Sequence, residues 1–213
     1  MSESGGSGAK YDAAFWEELW AKTLSAHRDK VASRPPNAHL VRELSALPAG
    51  RALDVGAGHG AETLWLAARG FRVTALDVSA SAVAQGREMA DALGAEVSER
   101  IDWVVGDFGE LAASEGKFDL VLCLYLHAPR GAQDLIRRLA RHVAPGGTLF
   151  LVGHRPLDPV TGTPTIAAGQ TQLSLEDARE ALADSEFILE LLEERPRGSV
   201  GSGVDAVLRA RAR

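Results

Sequence analysis

Three glycines and an acid fall within seven residues of the run LDVGAGHGAETLWLAARG, positions 53–70. Gly56, Gly58 and Gly60 stand where an apolar strand turns into a helix, so a ligand can approach the backbone and the helix N-terminus can offer N–H groups. With Ala61 the run also satisfies the relaxed dinucleotide pattern G-x-G-x-x-A, so spacing alone leaves the ligand open. Charge separates the options. Asp54 precedes the first glycine and is expected at the mouth of the strand, where a carboxylate repels a diphosphate and attracts an ammonium or sulfonium group. The competing reading is an aspartate bonded to loop amides as a turn stabiliser.

Two further acids follow at matching places. Asp77 ends the second expected strand in VTALDVS, where its carboxylate can accept hydrogen bonds from both ribose hydroxyls, and Asp107 ends the third in WVVGDF, within reach of an adenine amine. Phe108 then offers its backbone N–H to the ring. Each acid alone reads as a cap or turn residue. Together they mark the edge along which ligands of open α/β sheets bind, and the ligand they suit is S-adenosyl-L-methionine. The candidate cofactor shell is Asp54, Gly56, Ala57, Gly58, Gly60, Asp77, Val78, Gly106, Asp107, Phe108 and Cys123.

Methyl transfer from a sulfonium is an in-line displacement that mainly requires positioning. A base is needed when the acceptor arrives protonated with a high pKa, whereas a thiol is already partly ionised near neutral pH. His127, after the fourth strand in LYLHAPR, is the candidate catalytic residue; its competing role is to brace the following loop. Tyr125 and His154 are candidate substrate residues, with alternation leaving the face of Tyr125 undecided. Cys123 reads as a small buried hydrophobe beside the cofactor, and His59 as a solvent-facing helix-start residue whose competing role is to touch the cofactor's carboxylate. Trp16 and Trp20, one helical turn apart, are either the apolar stripe of a packed helix or a lid that excludes water from acceptor and cofactor. No His and acid cluster has metal-ligand spacing, so no metal is expected.

These residues need a scaffold that brings strand ends together. The chain has 213 residues, 46% apolar and 24% charged, which suits one well-buried core. Helices are expected from Tyr11 to about Lys30 and after Pro35-Pro36. An alternation follows: strands Arg51–Gly56, Arg72–Val78, Ile101–Gly106, Phe118–Leu126 and Thr148–Gly153, with helices Glu62–Arg69, Ser81–Leu93 and Ala132–Val143. Near-continuous apolar strands imply helices on both faces and a mainly parallel sheet. Ser174 with Asp177 reads as a helix start. The segments FILELLEERP and GVDAVLRARA are joined too closely for a parallel crossover and read as a C-terminal antiparallel hairpin. The expected fold is an α/β, Rossmann-like three-layer sandwich with a mostly parallel seven-stranded sheet. Residues 1–10 are expected to be a disordered tail and 11–213 a single domain, with 11–46 as a helical lid and 51–213 as the core.

A net charge of -6 without a basic stripe argues against nucleic acid, and no apolar run of about 20 residues is present to span a membrane. One cysteine permits no internal disulfide, which suits a reducing cytoplasm. A monomer or homodimer is expected.

From roughly residue 36 onward the chain resembles the class I S-adenosylmethionine-dependent methyltransferases, through LDVGAGHG, VTALDVS, VVGDF, FDLVLCLYLH and HVAPGGTLFLVGH in that order. The PN dipeptide, WLAARGFRVTALDVS, HAPRGA and VGHRP are similar to the small-molecule branch that includes tellurite-resistance, thiopurine and halide or thiol methyltransferases. Ala57 stands where many relatives carry Cys, and His59 where an acid is common. The resemblance implies methyl transfer to a small molecule, with a soft nucleophile (thiol, chalcogen or halide) set first and a natural-product oxygen or nitrogen second. The alternatives are an NAD-dependent oxidoreductase and a non-catalytic adenosyl-binding module on the same fold.

Overall fold

Apolar runs that alternate with amphipathic ones form a layered sheet because the central strands bury both faces. The computed structural model describes residues 12–111, 117–127, 130–155, 173–196 and 203–213. Five parallel strands are β1 (Arg51–Val55), β2 (Arg72–Asp77), β3 (Ile101–Val105), β4 (Phe118–Leu124) and β5 (Val143–His154). They are joined by the antiparallel pair β6 (Phe187–Pro196) and β7 (Val204–Ala212), in the order β3-β2-β1-β4-β5-β7-β6. The expected fold class, hairpin included, is the observed one.

Seven helices among the described residues cover the sheet: α1 (Ala13–Ala32), α2 (Ala38–Leu44), α3 (Ala61–Ala68), α4 (Ala80–Leu93), α5 (Ala95–Ser98), α6 (Ala132–Ala140) and α7 (Leu175–Leu182). Leu53, Val121, Leu149 and Leu208 pack in one core with Ile136 of α6 and Ala178 of α7. Ala52, Leu120, Phe150 and Val207 face the opposite layer, with Leu40 and Leu44 of α2 and Leu66 of α3. Alternate residues of the same strands thus feed two cores, which is why the runs read as continuously apolar.

Caps fix several helix starts. Ser79 accepts from the Ala82 N–H at the head of α4, and Ser174 accepts from the Asp177 N–H at the head of α7. In the latter the Asp177 carboxylate takes the Ser174 hydroxyl at 2.6 Å, which varies the usual reciprocal box.

Four details depart from the sequence reading. The first helix runs on to Ala32 and kinks at His27, whose φ of -145° is non-helical. β4 stops at Leu124, not Leu126, because Tyr125 adopts φ +57° and turns the chain out of the sheet. β5 starts at Val143, ahead of Thr148, through an irregular register with Phe118. The four-residue α5 has no counterpart among the expected elements. The expected tail 1–10, Tyr11, the Gly/Ser turn before β7 and all but the first residue of the Arg155–Thr171 loop lie outside the described residues.

Trp103 of β3 is buried against Gly60 and Gly86, and a Cβ at either glycine would fall inside the van der Waals shell of its indole. Gly86 lies inside α4, where alanine would gain about 1 kcal/mol of helix propensity. Overpacking costs about 1–3 kcal/mol and outweighs that gain. Gly86→Ala is therefore expected to lower the free energy of unfolding, read as an earlier urea midpoint at unchanged slope; a later midpoint would show that the indole has room to move.

Candidate active site

The turn after β1 is held by its backbone. Gly56, Gly58 and Gly60 all have left-handed φ, +75°, +56° and +84°, which a side chain would strain. The Gly56 and Ala57 N–H groups both donate to the Leu76 carbonyl at 2.8 and 3.0 Å, tying the loop to the end of β2. The Gly58 N–H donates to Asp77 Oδ2 at 2.8 Å, and the Ser79 N–H donates to Asp77 Oδ1 at 2.8 Å. Burial nonetheless holds the Asp77 carboxyl above its ordinary value. Each oxygen accepts one protein N–H and retains a lone pair for a further donor such as a ribose hydroxyl.

Asp54 lies elsewhere than expected. It is buried beneath the loop on the α2–α3 face, and its Oδ2 accepts the Thr63 hydroxyl at 2.6 Å. Burial, with smaller contributions from Glu62 and Asp77, lifts its pKa to about 7. The carboxylate that the sequence sets at an open mouth is thus a covered group, half ionised near neutrality. Glu62, unremarked in the sequence, accepts the Asn37 N–H at 2.9 Å and is likewise raised by burial.

Past β3, Gly106 donates its N–H to the Asp77 carbonyl, so the second and third strand ends are joined. Asp107 is exposed, and its Oδ1 accepts the Gly109 N–H, as a cap would. Phe108 buries its ring against His142 and beneath the Arg138 guanidinium, leaving the backbone at the edge. Val78 is half-buried between Asp77 and Ser79. Cys123 of β4 is buried in the core, and burial pushes its thiol well above the ordinary value, which disfavours the thiolate.

α1 lies across the loop. Trp20 sits so close to Gly58 that a Cβ there would approach its ring to 2.8 Å, and its indole tilts over His59 at 5.5 Å. His59 is not solvent-facing as the sequence reading had it but buried under Trp20, and burial with the Arg34 charge lowers its pKa to about 4. Trp16 stacks on His127, centroids 5.1 Å apart and planes 7° from parallel. Glu17 secures the helix by accepting the Ser79 hydroxyl at 2.7 Å and the Ser81 hydroxyl at 2.5 Å. The two tryptophans therefore face the site, not a separate core.

A cavity opens at the ends of β4 and β5, lined by Cys123, Tyr125, His127, Leu151 and His154 among others. The left-handed turn at Tyr125 answers the question alternation left open. Its ring goes to the α2 side of the sheet and stacks on His154, centroids 4.1 Å apart. Burial and the neighbouring His154 lower the His127 pKa, which favours a neutral ring. Asp205, absent from the sequence reading, is fully buried and bonded to both Tyr125 and His154. Only the β5–β7 register, in which His154 pairs with Asp205, could have revealed it. Among the described residues no group of three His, Cys, Asp or Glu could hold a metal ion.

Residues 52–147 match the family model for a methyltransferase domain. A ubiquinone biosynthesis O-methyltransferase of Xanthomonas campestris pv. campestris is 38% identical over 109 residues, half of this chain. That alignment spans 44% of the relative's length. Among solved structures, the N-methyltransferase NodS of Bradyrhizobium japonicum, in complex with S-adenosyl-L-homocysteine, superposes with a TM-score of 0.69 at 18% identity, covering 92% of this chain and 97% of that one. The 1,6-didemethyltoxoflavin-N1-methyltransferase of Burkholderia thailandensis gives 0.67 at 23% identity, covering 100% and 93%. The matched segment is similar to a methyltransferase domain, and the chain shares the fold of these solved structures.

Proposed function

We propose that this protein transfers a methyl group from S-adenosyl-L-methionine to a small molecule. The observation that carries the reading is the chemistry of the turn: Asp54, Glu62 and Asp77 surround a glycine loop whose pinned backbone admits close approach. That set suits a sulfonium, an ammonium and a ribose diol, and it opposes the diphosphate of a nicotinamide dinucleotide. The cofactor supplies an electrophilic methyl carbon. Asp77 would hold the ribose, Gly106 to Phe108 would flank the base, and Trp16 and Trp20 would cover the reacting groups and exclude water.

Two acceptor classes suit an in-line transfer. A soft nucleophile such as a thiolate, chalcogen or halide needs positioning alone, and the sequence puts it first. A hydroxyl or amine must also lose a proton, and the two imidazoles on the cavity, His127 and His154, favour this second class. No helix among the described residues is long and apolar enough to cross a membrane. A reducing cytoplasmic setting, a monomeric or homodimeric state and the absence of nucleic-acid or membrane partners complete the reading.

Calorimetric titration with S-adenosyl-L-methionine and, separately, NAD tests it: the first is expected to bind and the second not, and the reverse result would overturn the assignment. Asp77→Ala is expected to weaken cofactor binding by about 1–3 kcal/mol through lost hydrogen bonds. Unchanged affinity in a folded variant would remove Asp77 from the site.

Asp54 makes a separate prediction about pH. Its folded pKa of about 7 lies above the ordinary value of 3.8, so the fold favours the neutral acid. The ionised form is penalised progressively as pH rises from about 4, the unfolded pKa, toward that folded value, and fully above it. Asp54→Asn should therefore stabilise the unliganded protein more at pH 8 than at pH 5, as read by the difference in Tm. A bound cation favours the ionised form, so wild-type cofactor affinity should rise with pH through the same range. Equal Tm differences at both pH values would show that Asp54 does not titrate there.

A further inference from the structure

The helix that lies across the glycine turn is built in two parts. At His27, with φ -145° and ψ 34°, the helical geometry of α1 is interrupted, so residues 13–26 and 28–32 are two helical pieces joined at one position. They are fastened differently. In the shorter piece Val31 is buried, and Arg28 Nε donates to Gln85 Oε1 of α4 at 2.7 Å. The chain beyond it is tied to the head of α3, where the Asn37 N–H donates to Glu62 Oε1 at 2.9 Å. Moving that end would uncover part of the core.

The longer piece has no fully buried residue and meets the body of the fold through polar and aromatic contacts. Glu17 supplies a polar attachment. Its Oε2 accepts the Ser79 hydroxyl at 2.7 Å and the Ser81 N–H at 3.2 Å, while its Oε1 accepts the Ser81 hydroxyl. These bonds, the Ser81 hydroxyl first, hold the Glu17 carboxyl below its ordinary value, and the N-terminal end of α4 on which it sits favours an anion. The bonds of Asp12 with the Phe15 N–H and of Thr23 with the Leu19 carbonyl, by contrast, close within the helix. Trp20 supplies an aromatic attachment: its ring lies 2.8 Å from where a Cβ of Gly58 would stand, on the backbone that a ligand of the turn approaches. Ser79 also gives its N–H to Asp77 Oδ1, so the residue that fastens the helix and the one assigned above to the ribose share a partner.

We infer that residues 13–26 form a hinged lid, swinging about His27 and latched shut by the bonds of Glu17 to Ser79 and Ser81, and that release of this latch admits and discharges the cofactor. This rests on the cofactor reading proposed above. The latch bonds touch no residue of the glycine turn, so they hold the lid equally with and without the cofactor. Loosening them raises the open fraction of both states by the same factor, which speeds entry and exit together and leaves the dissociation constant nearly unchanged. A residue that gripped the cofactor would instead slow its exit alone, and a fixed wall would govern neither rate. Glu17 is thus a positioning residue that acts through α1.

The test is stopped-flow tryptophan fluorescence of the full chain mixed with S-adenosyl-L-homocysteine, which gives the association and dissociation rates separately. Glu17→Ala is expected to raise both by about 10- to 100-fold, the equivalent of one hydrogen bond to a charged group, with little change in Kd. Ser81→Ala, which removes one hydroxyl and leaves the Ser79 cap in place, should raise both by a smaller factor and add little to Glu17→Ala. Hydrogen exchange of the protein without cofactor gives a second readout: in Glu17→Ala residues 13–26 should exchange faster while 28–32 keep their wild-type protection. Unchanged rates in the folded variants, a rise in dissociation alone, independent effects of the two substitutions, or exchange that does not differ between the two pieces would each overturn the inference. Failure of the wild type to bind S-adenosyl-L-homocysteine would instead overturn the underlying function, and the exchange pattern would still decide the lid.

Discussion

The carboxylate of Asp77 is the pin on which the site's geometry turns. One oxygen receives the amide of Gly58 from the loop, and the other receives the amide of Ser79 at the head of α4. Ser79 in turn caps α4 and gives its hydroxyl to Glu17 of α1. A single side chain at the end of β2 thus couples the turn, the next helix and the helix that covers them. Removing a partner from a buried donor costs about 1–3 kcal/mol, so the loop amide alone makes this residue structurally expensive to lose. Low polarity around it also strengthens each remaining hydrogen bond it can accept.

Electrostatics at the turn follow from covering the acids. Asp54, Glu62 and Asp77 are each raised by burial as the largest cause, so none behaves as an open surface carboxylate. Without a cation nearby, protonation relieves part of their mutual repulsion. With one nearby, ionisation becomes favourable and the turn gains negative charge where it is useful. Under the proposed function, discrimination between a sulfonium and a diphosphate would rest on groups whose ionisation burial opposes, and so would depend on pH.

How much of this was legible in the sequence depended on the range of the interaction. The mostly parallel character of the sheet, its seven strands and the terminal hairpin follow from local period and connection length, and the structure has them all, whereas the order of the strands came only with the structure. The glycines and the acids at strand ends were legible because each sits at a fixed offset from an apolar run. Side-chain direction was not. Asp54 points down to Thr63 because even positions of β1 face α3, and the run LDVGAG does not say which face is which. Tyr125 escapes alternation through one left-handed φ. Asp205 lies 51 residues from His154 in the chain and meets it through antiparallel register, which composition and spacing do not encode.

The covering helix shows the same interplay between site and scaffold. Among the buried residues of the fold α1 contributes only Val31, so it is not held as a core helix is held. Arg28 reaches Gln85 and Glu88 of α4, but the Arg28–Glu88 pair is more than half exposed, and such pairs are worth about 0–1 kcal/mol. Trp20 packs on Gly58 and His59, and Trp16 on His127. These are contacts with the site itself. A molecule that entered between the rings and the loop would exchange some of them for its own, so docking of α1 and occupancy of the site are linked, and each must change the other by the same free energy.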